Sequence, residues 1–330
     1  MSVRQSIGTR RYVVQRVIQT VLVWFLIVTL NFFIFRIMPG DPAAALIGEN
    51  MPSDTVLRIR ATFGLDEPLL VQYGLYIQNL LVGELGESFD QDGALVVNLI
   101  FERRFWNTFY LMGTALVLSI IIGIVFGVIS ASKRNSKTDT GSTVFFLVAY
   151  SIPVFWIGLL MLLFAGFYFN LIPIRGTINP DLDHSNPLIY FLDYGHHMIG
   201  PAFVLTLSFI GGFYLIMRDS VLDVFTQDYM LAAEAKGLNE RTILYRHAMR
   251  NAMLPMVSVI AVNIPYLISG AMITEYVFSW EGLGLLVYDS VIANDYPVLQ
   301  GVFLFLATIT VVANFVADIL YLYLDPRIRY

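Results

Sequence analysis

Long apolar runs separated by short polar stretches make up most of the chain. Six of them, at 17–35, 105–130, 143–169, 199–217, 252–274 and 298–324, stand out. Each holds about 20 residues or more, enough at a rise of about 1.5 Å per residue to cross a hydrocarbon core about 30 Å thick. The pattern predicts an all-α integral membrane protein with six transmembrane helices. Pro153, Pro201, Pro255 and Pro265 fall inside these runs. Neighbouring helices can satisfy the carbonyls a proline frees, so kinks are expected there rather than breaks in the count.

The intervening segments are unequal. Residues 37–104 are numerous enough to fold as a small acidic external domain. Within it Pro68 precedes the run Leu69-Leu70-Val71-Gln72-Tyr73-Gly74-Leu75-Tyr76-Ile77-Gln78-Asn79-Leu80-Leu81, whose spacing predicts an amphipathic helix. Between the fifth and sixth runs, Phe278-Ser279-Trp280-Glu281-Gly282-Leu283-Gly284 is too polar and glycine-broken to span, and predicts a short re-entrant or interfacial element. The chain thus divides into 1–36 (N-terminus and first helix), 37–104 (external domain) and 105–330 (a five-helix core with a cytoplasmic loop at 218–251).

Composition agrees with this pattern. Only 14% of the 330 residues are charged, 57% are hydrophobic and the mean hydropathy is +0.69. Soluble domains carry about 25% charged residues, so the apolar surplus has to face lipid. The absence of cysteine excludes disulfides and thiolate metal sites. The distribution of charge says more than its net value of -5. Fourteen of the twenty Lys and Arg residues lie on the side shared by the two termini and the loops at 133–137 and 218–250, whereas seventeen of the twenty-five acidic residues lie on the other. The positive-inside rule then predicts a multi-pass protein of the cell's inner or plasma membrane with both termini cytoplasmic. The basic start (Arg4, Arg10, Arg11, Arg16) and the first run read as an uncleaved signal anchor. No small-x-small cleavage site follows the run, and Arg36-Ile37-Met38-Pro39 comes instead.

Several chemistries are missing. A phosphate-binding loop needs Gly-Lys-Ser/Thr, but the three lysines, Lys133, Lys137 and Lys236, follow Ser132, Ser136 and Ala235. If ATP drives this protein, another chain hydrolyses it. An ion-coupled transporter keeps ionisable groups at membrane depth, and the runs offer one clear candidate, Asp318. Its plainer reading is an anchor paired with backbone or with a nearby Arg. Asn31, Asn263 and Asn314 read as helix-packing contacts. There is no Gly-x-Ser-x-Gly and no His-Glu-x-x-His, and His196-His197 reads as a solvated loop pair. No catalytic residue, metal site or bound cofactor is expected. A gradient-driven secondary transporter is the alternative to a partner-driven one, and a membrane enzyme comes third.

The loop after the fourth run is the most informative segment. An Ala-rich helix beginning near Asp228 is expected to end at Gly237, and Asn239 to cap a second helix from Glu240. Two short helices with small residues on one face would make a knob for a groove in a soluble partner. A basic amphipathic loop lying on anionic lipid would have the same composition.

The order of residues here resembles the coupling motif of type I ABC importer permeases: Glu-Ala-Ala, three residues, Gly, nine residues, Ile-x-Leu-Pro. Ala232, Ala233 and Gly237 match, while Leu231, His247, Met249 and Arg250 stand in place of the Glu, Ile, Leu and Pro. Ala-Lys-Gly-Leu followed by Arg-His-Ala-Met-Arg-Asn-Ala-Met-Leu-Pro is similar to the B-type subunit of the dipeptide, oligopeptide and nickel branch. So are Arg36-Ile37-Met38-Pro39-Gly40-Asp41-Pro42, Phe63-Gly64-Leu65-Asp66-Glu67-Pro68-Leu69, Ser151-Ile152-Pro153-Val154-Phe155-Trp156-Ile157-Gly158, Val277-Phe278-Ser279-Trp280-Glu281-Gly282-Leu283-Gly284, Asp295-Tyr296-Pro297 and Asp325-Pro326-Arg327-Ile328-Arg329.

This resemblance implies a permease for a solute, with di- or oligopeptide first among the candidates. It would pair with a C-type second permease, two ATP-binding cassette ATPases that hold the ATP and Mg, and an external solute-binding protein. Lipid would surround it and nucleic acid would play no part. The resemblance assigns ATPase coupling to Tyr229, Ala232, Ala233, Lys236, Gly237, Leu238, Arg246, His247 and Arg250, though Arg246 and Arg250 also fit as plain positive-inside anchors. It assigns the external mouth and binding-protein docking to Phe278, Trp280, Gly282 and Gly284. Ser151, Phe155 and Trp156 become candidate pathway or gate residues, against ordinary aromatic packing after Pro153.

Overall fold

Apolar sequence can satisfy its backbone in lipid only by closing hydrogen bonds within the segment, so helix is the expected solution throughout. The computed structural model describes residues 3–37, 67–265, 267 and 271–324. Among these, helices account for almost everything, and the one β-type pairing is a bridge between Glu87 and Leu95. In chain order they are α1 (Val3–Ile37), α2 (Leu69–Leu81), α3 (Val96–Ser132), α4 (Lys137–Ser151), α5 (Val154–Tyr168), α6 (Pro187–Phe225), α7 (Asp228–Ala235), α8 (240–263), α9 (Met272–Phe278), α10 (Leu283–Ala293) and α11 (Tyr296–Leu324).

Four of these helices (α1, α3, α6 and α11) are individually long and apolar enough to cross a membrane. The third predicted run is not a gently kinked rod: α4 and α5 meet at 95°. Pro153 explains the break. A proline pushes the preceding residue out of the helical region, and Ile152 is extended with ψ 133. Counted as one broken span, the pair brings the number to five. Pro201, by contrast, sits inside α6 without ending it. The run at 252–274 is partly covered by α8, but residues 266 and 268–270 lie outside the described residues. So do 38–66 and 325–330, which carry most of the motifs at 36–42 and 63–69 and all of that at 325–329.

The chain forms two compact units, Met1–Trp106 with Glu281–Tyr330, and Asn107–Trp280. In the first, α1 and α11 run antiparallel, joined by Arg16 to Asp318 (3.3 Å), Trp24 Nε1 to Thr308 Oγ1 (3.0 Å) and Asn31 Nδ2 to the Gln300 carbonyl (3.2 Å). Asp318 is therefore an anchor paired with an arginine. Pro68 precedes α2 as its capping residue, and the helix lies along α1: Tyr73 packs on Phe32 at 5.2 Å and bonds Thr29, while the Tyr76 hydroxyl accepts from Asn31. A buried carboxylate closes this unit. Asp295 accepts from Ser88 Oγ (2.5 Å), from the amides of Phe89 and Asp90, and from the Val298 amide in the first turn of α11. It satisfies an otherwise orphaned donor at that helix start and ties down the 86–95 loop.

In the second unit, glycines let helices approach to backbone distance. A Cβ on Gly123 would lie 2.7 Å from the Phe213 Cβ, and one on Gly127 would lie 2.9 Å from the Tyr214 carbonyl oxygen. Gly211 stands equally close to Tyr150 and the Phe146 carbonyl. Thus α3 and α4 each press on α6 through small residues, the arrangement expected where lipid tails supply no hydrophobic drive between helices. Phe213, Met217 and Val221 of α6 share a core with Ala252 and Met256 of α8.

Candidate functional site: the 228–250 knob and the outer turn

Only Thr226 and Gln227 separate α6 from α7. The α7 helix ends as its sequence predicts. The Lys236 amide bonds the Ala232 carbonyl, and Gly237 adopts φ +69 and bonds the Glu234 carbonyl at 2.9 Å. This left-handed position costs a residue with a Cβ about 1–2 kcal/mol, which is why glycine suits it. Asn239 then caps α8, its Oδ1 accepting from the Thr242 amide at 2.8 Å. The first turns of α8 widen into a π-helical stretch, Ile243–Ala248, a form that recurs at functional sites.

The knob has a small core of its own. Met230, Ala233, Ile243 and Ala248 are buried together, flanked by Val224 and Phe225 from the end of α6. Tyr229 fastens α7 to α8 by accepting from Asn251 Nδ2 at 2.8 Å, and the His247 carbonyl accepts from the same amide. Of the expected coupling residues, Ala233 is therefore internal. Ala232, Lys236, Gly237, Leu238, Arg246 and Arg250 are exposed, and His247 is half-buried. Leu231 is 62% exposed and Tyr245 58%. A knob that keeps four apolar side chains inside and turns Leu231, Leu238 and Tyr245 outward has more apolar surface than its own packing uses.

The turn at 272–280, which the resemblance places at the external mouth, behaves in the opposite way. Phe278 is buried against Ile172 and Val204, and its ring lies where Cβ atoms on Gly158 and Gly200 would stand, at 3.4 and 2.7 Å. Trp280 is wholly buried and donates from Nε1 to the Asn107 carbonyl at 3.1 Å. Glu275, one turn earlier, is also buried and accepts from Thr108 Oγ1 at 2.8 Å. Gly282 caps the start of α10 and Gly284 is in its first turn, both buried. Further along α10, burial pushes the Asp289 carboxyl above its ordinary value, against the pull of Arg104. What the turn shows outward is Met272, Ile273, Tyr276 and Ser279, the last left-handed at φ +50. At the α4–α5 break, Ser151, Phe155 and Trp156 are all exposed, and a shallow depression of about 510 Å³ borders Ser151, Pro153 and Trp156. Ser151 Oγ is committed to the Leu147 carbonyl.

Residues the sequence reading passed over lie under the knob. Asp139 and Arg218 form a buried bidentate ion pair, and Gly123 and Gly127 make the close contacts described above. The second was visible as a Gly-x-x-x-Gly in an apolar run. The first had no local signal, since its partners are 79 residues apart.

A set of long apolar helices, the longest of them followed by a compact knob, defines a polytopic membrane protein. The chain belongs to the binding-protein-dependent transport system inner membrane component family, whose profile matches residues 123–330, with the family's N-terminal profile matching 9–111. It is 35% identical over 97% of its length to the oligopeptide transport system permease protein AppB of Bacillus subtilis, covering 99% of that protein. It is 36% identical over 92% of its length to the dipeptide transport system permease protein DppB of Escherichia coli, covering 94% of it. Among solved structures it is similar in fold to a chain of the inward-facing MetNI methionine ABC transporter, with a TM-score of 0.55, 16% identity, and coverage of 68% of this chain and 96% of that one. The protein is thus a multi-pass membrane permease component of an ABC importer.

Proposed function

We propose that this chain is the B-type permease of a di- or oligopeptide importer, forming the translocation path with a second permease and taking its energy through the 228–250 knob. The observation that carries this reading is the knob itself: the short α7, two residues from α6, packed on the first turns of α8 and showing unspent apolar surface beside basic residues. ATPase subunits holding ATP and Mg grip it, and an external binding protein delivers solute at the opposite side. Both termini lie in the cytoplasm, six helices span the membrane, and 37–104 form the external segment. Peptide as solute is supported by what the similar permeases are named for.

The outer turn shapes the mouth from within. Phe278 and Trp280 hold it in place, leaving Tyr276 and its neighbours as the surface a binding protein meets. Ser151, Phe155 and Trp156 flank the path at the α4–α5 break. Purification tests the whole reading. Two ATPase chains and a second permease should accompany this chain, and the assembled complex in proteoliposomes should take up peptide only with ATP and binding protein. Uptake by the isolated chain under an ion gradient, with no ATPase present, would overturn it in favour of a secondary transporter.

A further inference from the structure

Where the knob joins the bundle, the described residues contain a polar cluster that the coupling motif does not include. Asp139, at the start of α4, is 3% exposed. Arg218 of α6 grips it with both ends of its guanidinium, Nε to Oδ1 at 2.8 Å and the second terminal nitrogen to Oδ2 at 3.0 Å. Ser130 of α3 donates to the same Oδ1 at 2.6 Å, and the Asn135 amide in the α3–α4 turn donates to Oδ2 at 3.0 Å. One helical turn before Arg218, the Tyr214 hydroxyl bonds both Ser130 (2.7 Å) and Thr143 (2.8 Å). Arg218 also reaches Asp219 at 3.2 Å. Three helices thus meet at one carboxylate.

Stability alone is a poor reason for such a pair. Well-packed apolar residues serve a buried site as well or better, whereas a bidentate arginine fixes one relative orientation. Orientation matters here because of what surrounds the pair. Gly127 brings α3 within contact distance of the α6 backbone at Arg218 itself, and Gly211 does the same for α4, so the three helices have little room to slide. The knob hangs from α6 by two residues.

We infer that the Asp139–Arg218 pair is the clamp that makes α3, α4 and α6 answer the knob as one body. This rests on the knob's being the ATPase contact. Arg218 and Asp139 are positioning residues: they touch neither nucleotide nor solute. With the clamp closed, a push on α7 and α8 displaces all three helices. With it open, α6 moves alone and hydrolysis is spent without transport.

The fully assembled transporter in proteoliposomes tests this, with uptake and ATP hydrolysis measured in the same vesicles. Asp139→Asn keeps one acceptor oxygen, which can face the Asn135 amide while its NH2 donates to the Ser130 hydroxyl, and removes the charge. It should leave hydrolysis near wild type and lower uptake per ATP by about tenfold, within the usual range of coupling between sites. A merely structural role would lower uptake and hydrolysis together with the amount of assembled complex, leaving the ratio unchanged, and that result overturns the clamp. The lack of native cysteine permits a rescue. Asp139→Cys with Arg218→Cys should be uncoupled when unbridged and regain its ratio when a short bis-maleimide joins the two thiols. Bridging without recovery also overturns the clamp. Gly237→Glu in parallel keeps the two readings apart. Normal uptake by that variant sinks the knob assignment, whereas silence there with an unchanged ratio in Asp139→Asn sinks the clamp alone.

Discussion

The knob at 228–250 and the turn at 272–280 are similar in kind: each is built on a helix of seven or eight residues, α7 or α9, and marked by glycine or aromatic residues. Their side chains point opposite ways. The knob holds small and medium residues inside and presents Leu231, Leu238 and Tyr245. The turn puts Phe278 and Trp280 into the core of its own unit, with glycines of α5 and α6 against the Phe278 ring. Apolar surface left over outside the bilayer asks for a partner, whereas an aromatic already enclosed can only shape what lies around it. A motif by itself does not say which of the two it marks.

Three substitutions sharpen or break this contrast. Gly237→Glu should have the largest effect, abolishing ATP-dependent uptake while the chain still inserts and is recovered from membranes in normal amount. It places a charge and a Cβ at a left-handed position on the exposed face of the knob. Normal uptake would show that this face is not gripped. Trp280→Ala should act on folding, costing about 3–5 kcal/mol, the usual penalty for truncating a buried tryptophan. The measurement is the midpoint of thermal unfolding in detergent, and an unchanged midpoint would mean the turn is not the internal frame described here. Leu231→Lys should be the mildest, leaving that midpoint close to wild type, since substitutions at exposed positions generally change stability by no more than about 0.5 kcal/mol. Capture of the ATPase subunits by the tagged permease should nevertheless weaken by about tenfold, the scale of a single well-placed contact residue. Equal loss in both assays would erase the distinction between the two regions.

Local rules explain what was legible in the sequence. The helix end at Gly237 and the cap at Asn239 depend on residues within a few positions, and both form as read. Apolar run length likewise marks α1, α3, α6 and α11, because lipid leaves the backbone no other option. The abrupt α4–α5 corner was half legible. Pro153 marks the place, but the angle depends on what α5 packs against, including Val277 and Phe278 more than a hundred residues later. Burial of the outer turn was not legible at all. Phe278 owes its environment to Gly158 and Gly200, and no window of sequence around 278 contains them. For the same reason Arg218 looked like one more inward-side charge, when its carboxylate partner sits beyond another span.

The length of α6 has a mechanical consequence. Its 39 residues make a rod about 58 Å long, uninterrupted at Pro201. At one end hangs the knob; near the other, Asp193 holds His184 and His197, and Tyr194 donates to Asn107. A tilt of about 5° about one end of such a rod carries the other through about 5 Å. A lever of that size turns a nudge at the knob into a displacement at the opposite end comparable to the width of a side chain.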